Sequence, residues 1–182
     1  MARVGIADHV GWAIAVSSAD TFDVLDRRRI ALVEDGVTDA PIHYESKHLD
    51  VAATTALVAE WRASVRRAAA HALEELADAV PTPIESLSLR ALPSTFPDDI
   101  ETMMRTPYEA RADAVMYRQV LVDLVEERGW SVHFYEAKSV LAQAAAVLGK
   151  RADQVIDGPR AVLGPPWTKD HRVALAATVL AA

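Results

Sequence analysis

The stretch that decides the fold is residues 2–33, ARVGIADHVGWAIAVSSADTFDVLDRRRIALV. Apolar and β-branched residues run from Ala2 to Asp8, from Val10 to Ser17 and from Phe22 to Val33, as expected of strands with at least one buried face. Gly11, just after Asp8-His9, and the run Ser17-Ser18-Ala19-Asp20 supply two sharp reversals. The opening therefore reads as a three-stranded antiparallel meander. Arg27, Arg28 and Arg29 interrupt the third strand. Alternation puts Arg27 and Arg29 on one face and Arg28 on the other, a pattern that a sheet tolerates at its edge.

Outward from the meander, residues 34–48 carry Gly36 and Pro41 and read as a connecting loop. A helical pattern follows from about Leu49 to Ala79, with Ala53, Leu57, Trp61, Ala68, Ala72 and Leu76 near helical spacing. Pro81 and Pro83 end it, Ile84–Leu92 reads as a strand, and Pro93 and Pro97 bracket a loop holding Asp98, Asp99 and Glu101. Thr106-Pro107-Tyr108-Glu109 offers an N-cap, a proline at the first helical position and a capping-box glutamate, which predicts a helix from there to Gly129. Trp130–Tyr135 reads as a buried strand and Ala137–Leu148 as a shorter helix closed by Gly149. A less regular stretch leads to Gly164-Pro165-Pro166, after which Thr168 caps a last helix. The order βββαβαβα places the chain in the α/β class, read as one domain over 1–182.

Composition narrows the chemistry. The chain has 182 residues, with 19 Lys+Arg against 26 Asp+Glu and a formal charge of −7. At 51% hydrophobic and 25% charged residues it is a globular sequence, neither disordered nor collagen-like. Without cysteine it has no disulfide, thiolate nucleophile or iron–sulfur cluster, so any metal site must use carboxylate or imidazole. The apolar run Val173–Ala182 is too short to cross a bilayer. Asp8 and His9 fall where a secretory signal would be uncharged, so a cytoplasmic protein without a membrane partner is expected.

A meander followed by alternating helices and parallel strands resembles the ribonuclease H-like superfold, in particular its RuvC-type Holliday-junction resolvase branch. Val4-Gly5-Ile6-Ala7-Asp8 with Gly11-Trp12-Ala13 is similar to the family's first strand, whose terminal aspartate precedes a glycine turn. Trp130 to Val140, with Gly149 to Val155, is similar to the fifth strand and the segment after it. Lys169-Asp170-His171-Arg172-Val173-Ala174-Leu175-Ala176 looks like the last helix, whose first turn holds acidic ligands. The resemblance implies a five-stranded mixed sheet flanked by helices. It also implies divalent cations, Mg2+ or Mn2+, held by carboxylates, which activate water and stabilise the leaving oxygen of a phosphodiester. On that pattern Asp8 and Asp170 are metal ligands, His171 is a neighbouring base or ligand, and branched DNA or other structured nucleic acid is the substrate. Arg27, Arg29, Arg62, Arg66 and Lys169 are the candidates to contact its backbone. Such proteins form homodimers, and the helix at 49–79 and the alanine-rich last helix could support one here.

The sequence departs from the pattern at two places. The fourth strand should carry a glutamate near its carboxyl end, where this chain offers Ser88 or Arg90. The second acid of the last helix falls on Val173. Glu45, Glu85, Asp98 and Asp99 are the acids left to refill the site. Each candidate also has a plain structural role: Asp8 as a turn-forming acid, Asp170 as a carboxylate on a helix dipole, His171 as a surface histidine, the arginines as solvated charges.

Two functions compete. A metal-dependent endonuclease on branched or structured nucleic acid requires a carboxylate cluster. A catalytically degenerate scaffold, acting as a binding or assembly module, predicts Arg90 directed at Asp8, neutralising it. An ATPase of the actin or sugar-kinase type needs glycine-rich phosphate loops, whereas the seven glycines here are scattered.

Overall fold

The meander forms as the alternation predicts. In the computed structural model, which describes residues 1–182, β1 (Ala2–Asp8), β2 (Trp12–Ala19) and β3 (Val24–Ala31) are consecutive antiparallel strands. Asp8 pairs with Ala13, and Ile14 and Val16 pair with Arg29 and Arg27. Gly11 takes φ +82° in the first reversal, with Asp39 packed so close that a Cβ would lie 2.9 Å from that residue's own Cβ. A side chain there meets both strain and a clash. β4 (Ile84–Arg90) runs parallel to β1, and β5 (Ser131–Tyr135) runs parallel to β4. The order β3-β2-β1-β4-β5 puts the arginine-rich β3 at an edge.

Helices cover both faces. On one, α1 (Val51–Ala79) starts where Asp50 accepts a hydrogen bond from the Ala53 amide at 2.8 Å. It buries Val58, Trp61, Val65, Ala69, Leu73 and Leu76 against Val4, Ile6, Leu87 and Leu89 of the sheet. A single-turn α2 (Ile100–Met103) is capped by Asp99, and α3 (Ala112–Glu127) packs beside α1. Trp61 of α1 meets Tyr117 of α3 edge to face, with centroids 4.7 Å apart. Asp113 ties the long loop after β3 to α3 by accepting from the amides of Ile42 and His43, both at 2.9 Å.

The other face carries α4 (Val140–Leu148), α5 (Ala152–Ile156), α6 (Pro159–Leu163) and α7 (Lys169–Leu180). α7 lies directly on β1, where the absence of a side chain at Gly5 admits it: a Cβ there would sit 1.8 Å from the Ala174 carbonyl oxygen. The Ser18 hydroxyl donates to Thr178 at 2.8 Å and fixes the far end. No helix is long and apolar enough to cross a membrane.

The structure moves one helix start. Residues 104–111 fold as turns and α3 begins at Ala112, six residues after the expected cap. The Thr106 hydroxyl bonds the Glu109 carboxylate instead of a backbone amide, and Arg111 sits over the rings of Phe96 and Tyr108. Local side-chain pairing thus consumes the capping groups. The acidic loop before it also gains α2, and the less regular stretch after Gly149 forms α5 and α6.

Candidate functional site

Asp8 ends β1 and Arg90 ends β4, two adjacent parallel strands. From β1 the chain passes to β2 on one side, and from β4 to β5 on the other, so the sheet's connections diverge here. Crevices at such points, beyond the carboxyl ends of strands, are where open α/β sheets bind ligands.

Alternation determines what each side chain meets. Val4, Ile6 and Asp8 point to the face covered by α1 and α3. There Arg118 of α3 donates from Nε to Asp8 Oδ2 at 2.8 Å, and from Nη1 to the Ala91 carbonyl at 3.2 Å. Ser88 lies toward α7, its hydroxyl donating to the Ala177 carbonyl at 3.2 Å, and Arg90, two residues on, starts from the same face. Arg90 reaches over the strand end to bring Nε within 3.8 Å of Asp8 Oδ1. Two guanidiniums therefore flank one carboxylate, from opposite faces of the sheet. The carboxylate is buried at 3% exposure, and Arg118 at 7%. Behind them the Tyr135 hydroxyl donates to the Ile6 carbonyl at 2.7 Å. Burial, and then the Asp8 charge, push that phenol above its ordinary range.

Asp170 makes a different pairing. At the second position of α7 it takes His9 as partner, Nε2 to Oδ2 at 3.1 Å, and His9 stacks on Trp12 with centroids 4.1 Å apart. His171 is no surface histidine: it is 4% exposed, and its Nδ1 accepts from the Thr168 amide at 3.2 Å with the Thr168 hydroxyl 2.9 Å away. Burial, followed by the charge of Arg27, lowers its pKa. It completes a capping box on α7. Trp12, Ile14, Arg29, Asp170 and His171 line a cleft of about 520 Å3 on this face.

The acids left to refill the site are engaged at other places. Glu85 pairs with Arg3 at 2.8 Å, Asp99 caps α2, Asp98 lies in a cleft with Arg62, and Glu45 begins a short turn after the long loop. No group of three or more His, Asp and Glu side chains is placed to hold a metal ion. Asp8 is committed to Arg118, and the end of β4 beside it carries the cation Arg90. Carboxylate-poor and flanked by guanidiniums, the donor set does not fit a divalent cation.

The five basic candidates do not share one groove. Arg27 is spent on carbonyls, donating from Nη1 to Gly164 at 3.0 Å and Pro166 at 2.5 Å and from Nη2 to Leu163 at 2.8 Å. Arg29 is exposed, its guanidinium carbon 4.5 Å from the centre of the Trp12 ring. Arg62 and Arg66 lie on α1, across the sheet, paired with Gln119 and Glu127. Lys169 opens α7 and is exposed. Sequence reasoning missed Arg118. Its signal was present: it lies three residues from each of Val115 and Leu121, on the apolar stripe of α3, where a cation needs a buried anion.

No family model and no curated protein matches the sequence. Among solved structures, Thermus thermophilus RuvC in complex with a Holliday junction substrate aligns at TM-score 0.56 and 14% identity, over 98% of this chain and 90% of that one. The fold is ribonuclease H-like, of the RuvC type. A second Thermus thermophilus RuvC structure aligns at TM-score 0.52 and 14% identity, over 98% and 92%. The RuvC-type fold is thus matched over nearly the whole of this chain.

Proposed function

We propose that this chain is a RuvC-type scaffold that binds its partner without cutting it. One observation carries the reading: the aspartate at the end of β1 is buried and ion-paired with Arg118 at 2.8 Å, with Arg90 on its other oxygen. Two-metal phosphodiester hydrolysis needs several convergent carboxylates around two cations. Here the end of β4 carries an arginine, and the carboxylate at the end of β1 is sequestered. The partner class follows from the likeness to a RuvC bound to a Holliday junction, which favours branched DNA.

The same likeness supports a second reading, metal-dependent cleavage of branched DNA through Asp8, Asp170 and His171. It requires Asp8 to leave Arg118, at the cost of an uncompensated buried charge. Incubation of the protein with a panel of branched and hybrid substrates in Mg2+ or Mn2+ separates the two. Binding without cleavage, equal in the parent and Asp170→Asn chains, is expected. Metal-dependent cleavage that Asp8→Asn abolishes overturns the proposal.

A further inference from the structure

The ion cluster that fills the expected metal site is itself unfinished. Arg90 Nε and Asp8 Oδ1 face each other at 3.8 Å, and both atoms are buried without a hydrogen-bond partner. The Arg90 side chain is 40% exposed, so its outer end reaches solvent at the carboxyl edge of the sheet. Arg118 spends Nε on Asp8 and Nη1 on the Ala91 carbonyl, leaving Nη2 unspent. One carboxylate between two guanidiniums leaves one formal positive charge in the cluster. A guanidinium carries five donors in a fixed planar fork, which matches the paired oxygens of a phosphate.

We infer that this cluster is an anion site for a phosphate group, with Arg90 gripping the phosphate directly and Arg118 and Asp8 fixing where Arg90 stands. The inference rests on the binding reading above and deepens it by naming the recognised chemistry. In place of metal ions bridging protein carboxylates to a phosphodiester, the protein supplies the positive charge itself. The site lies where β1 and β4 diverge, the place in such sheets where ligands dock. Asp8 is what keeps two adjacent cations tolerable before the anion arrives, because its charge offsets one of them. The acidic total of the chain is compatible with this, since recognition depends on the local charge, and the acids at 98–101 lie with α2 beside α1.

The phosphate could belong to a nucleic-acid backbone or to a free phosphorylated molecule, and the test separates them. Binding of a fluorescein-labelled four-way DNA junction is measured in EDTA across a salt series, for the parent, Arg90→Gln, Arg90→Lys and Arg66→Gln. Inorganic phosphate is titrated against the same proteins by NMR, and circular dichroism confirms that each is folded. The expected result is junction binding without divalent metal, weakened about tenfold by Arg90→Gln, with the slope of log affinity against log salt reduced by about one. Arg90→Lys recovers the slope but only part of the affinity, because the charge returns without the fork. Arg66→Gln, on the far face, changes neither. Saturable phosphate shifts that vanish in Arg90→Gln, without junction binding, support the site with a free phosphate as ligand. Junction affinity and slope unchanged in Arg90→Gln together with no saturable phosphate shifts, or no binding of either probe by the parent, overturns the inference. Metal-dependent cleavage by the parent overturns the non-cutting reading instead, and appears in a separate assay.

Discussion

Arg118 reaches Asp8 across 110 residues of chain and closes a 2.8 Å hydrogen-bonded ion pair under the carboxyl end of the sheet. Arg90 approaches the other oxygen from the opposite face. A catalytic carboxylate must be free to turn toward a cation, and this one is held. The pair also bolts α3 to β1, so its chemistry and its packing are tested together.

Removing Arg118 leaves Asp8 buried without its hydrogen-bonded partner and with only Arg90, at 3.8 Å, to offset its charge. Arg118→Leu should destabilise the fold by about 3–5 kcal/mol, read as a lower urea midpoint. Replacing both, as Asp8→Leu with Arg118→Met, should recover most of that loss, because apolar groups of similar size carry no desolvation penalty. A double variant no better than Arg118→Leu alone would mean that the pair is not the source of the effect.

Gly5 makes room for the last helix. Gly5→Ala places a methyl 1.8 Å from the Ala174 carbonyl oxygen, backbone that can shift only by lifting α7 from β1. The expected loss is about 3 kcal/mol or more, at the severe end for a core substitution. A thermal melt within a degree of the parent would show that α7 does not seat on β1 as described.

Arg27 serves a loop. Its three hydrogen bonds to the carbonyls of Leu163, Gly164 and Pro166 pin the segment between α6 and α7 to the edge strand. Arg27→Ala should cost about 2 kcal/mol, since hydrogen bonds from a charged donor are lost. Hydrogen exchange should accelerate in 159–168 more than in α1, and uniform acceleration would contradict the local role.

His171 gives α7 a pH dependence. Its folded pKa lies below the ordinary histidine value because burial, then Arg27, disfavours the cation. The unfolded chain therefore binds more protons in the window between the two values, so stability falls as pH drops below about 6.5 toward the folded pKa. Protonation also removes Nδ1 as acceptor for the Thr168 amide. His171→Gln keeps a capping-box acceptor and removes the titration. Melts at pH 8 and pH 5 should differ less for His171→Gln than for the parent, and equal differences would contradict the assignment.

Much of this was legible in the sequence, for identifiable reasons. Alternation and the Gly11 reversal specified β1 to β3, and alternation alone separates Arg27 and Arg29 from Arg28. The missing glutamate in the fourth strand, with Ser88 or Arg90 in its place, already put the carboxylate cluster in question. Arg118 was harder, because its meaning depends on a partner 110 residues away and a helix periodicity records only that it sits on an apolar face. The capping signal at Thr106 misled because its groups bond to one another and to neighbouring rings, which spacing does not encode. Asp170 and His171 were placed correctly at the start of the last helix, but their partners, His9 and the Thr168 amide, come from pairings that periodicity leaves open.

The central claim is that an ion pair occupies the position where metal ions would be held. Calorimetric titration of the parent chain with Mn2+ at neutral pH and low salt tests it most directly. The account predicts only heats of dilution up to millimolar metal, identical in the parent and in Asp8→Asn. Saturable heat in the parent that Asp8→Asn removes would contradict it.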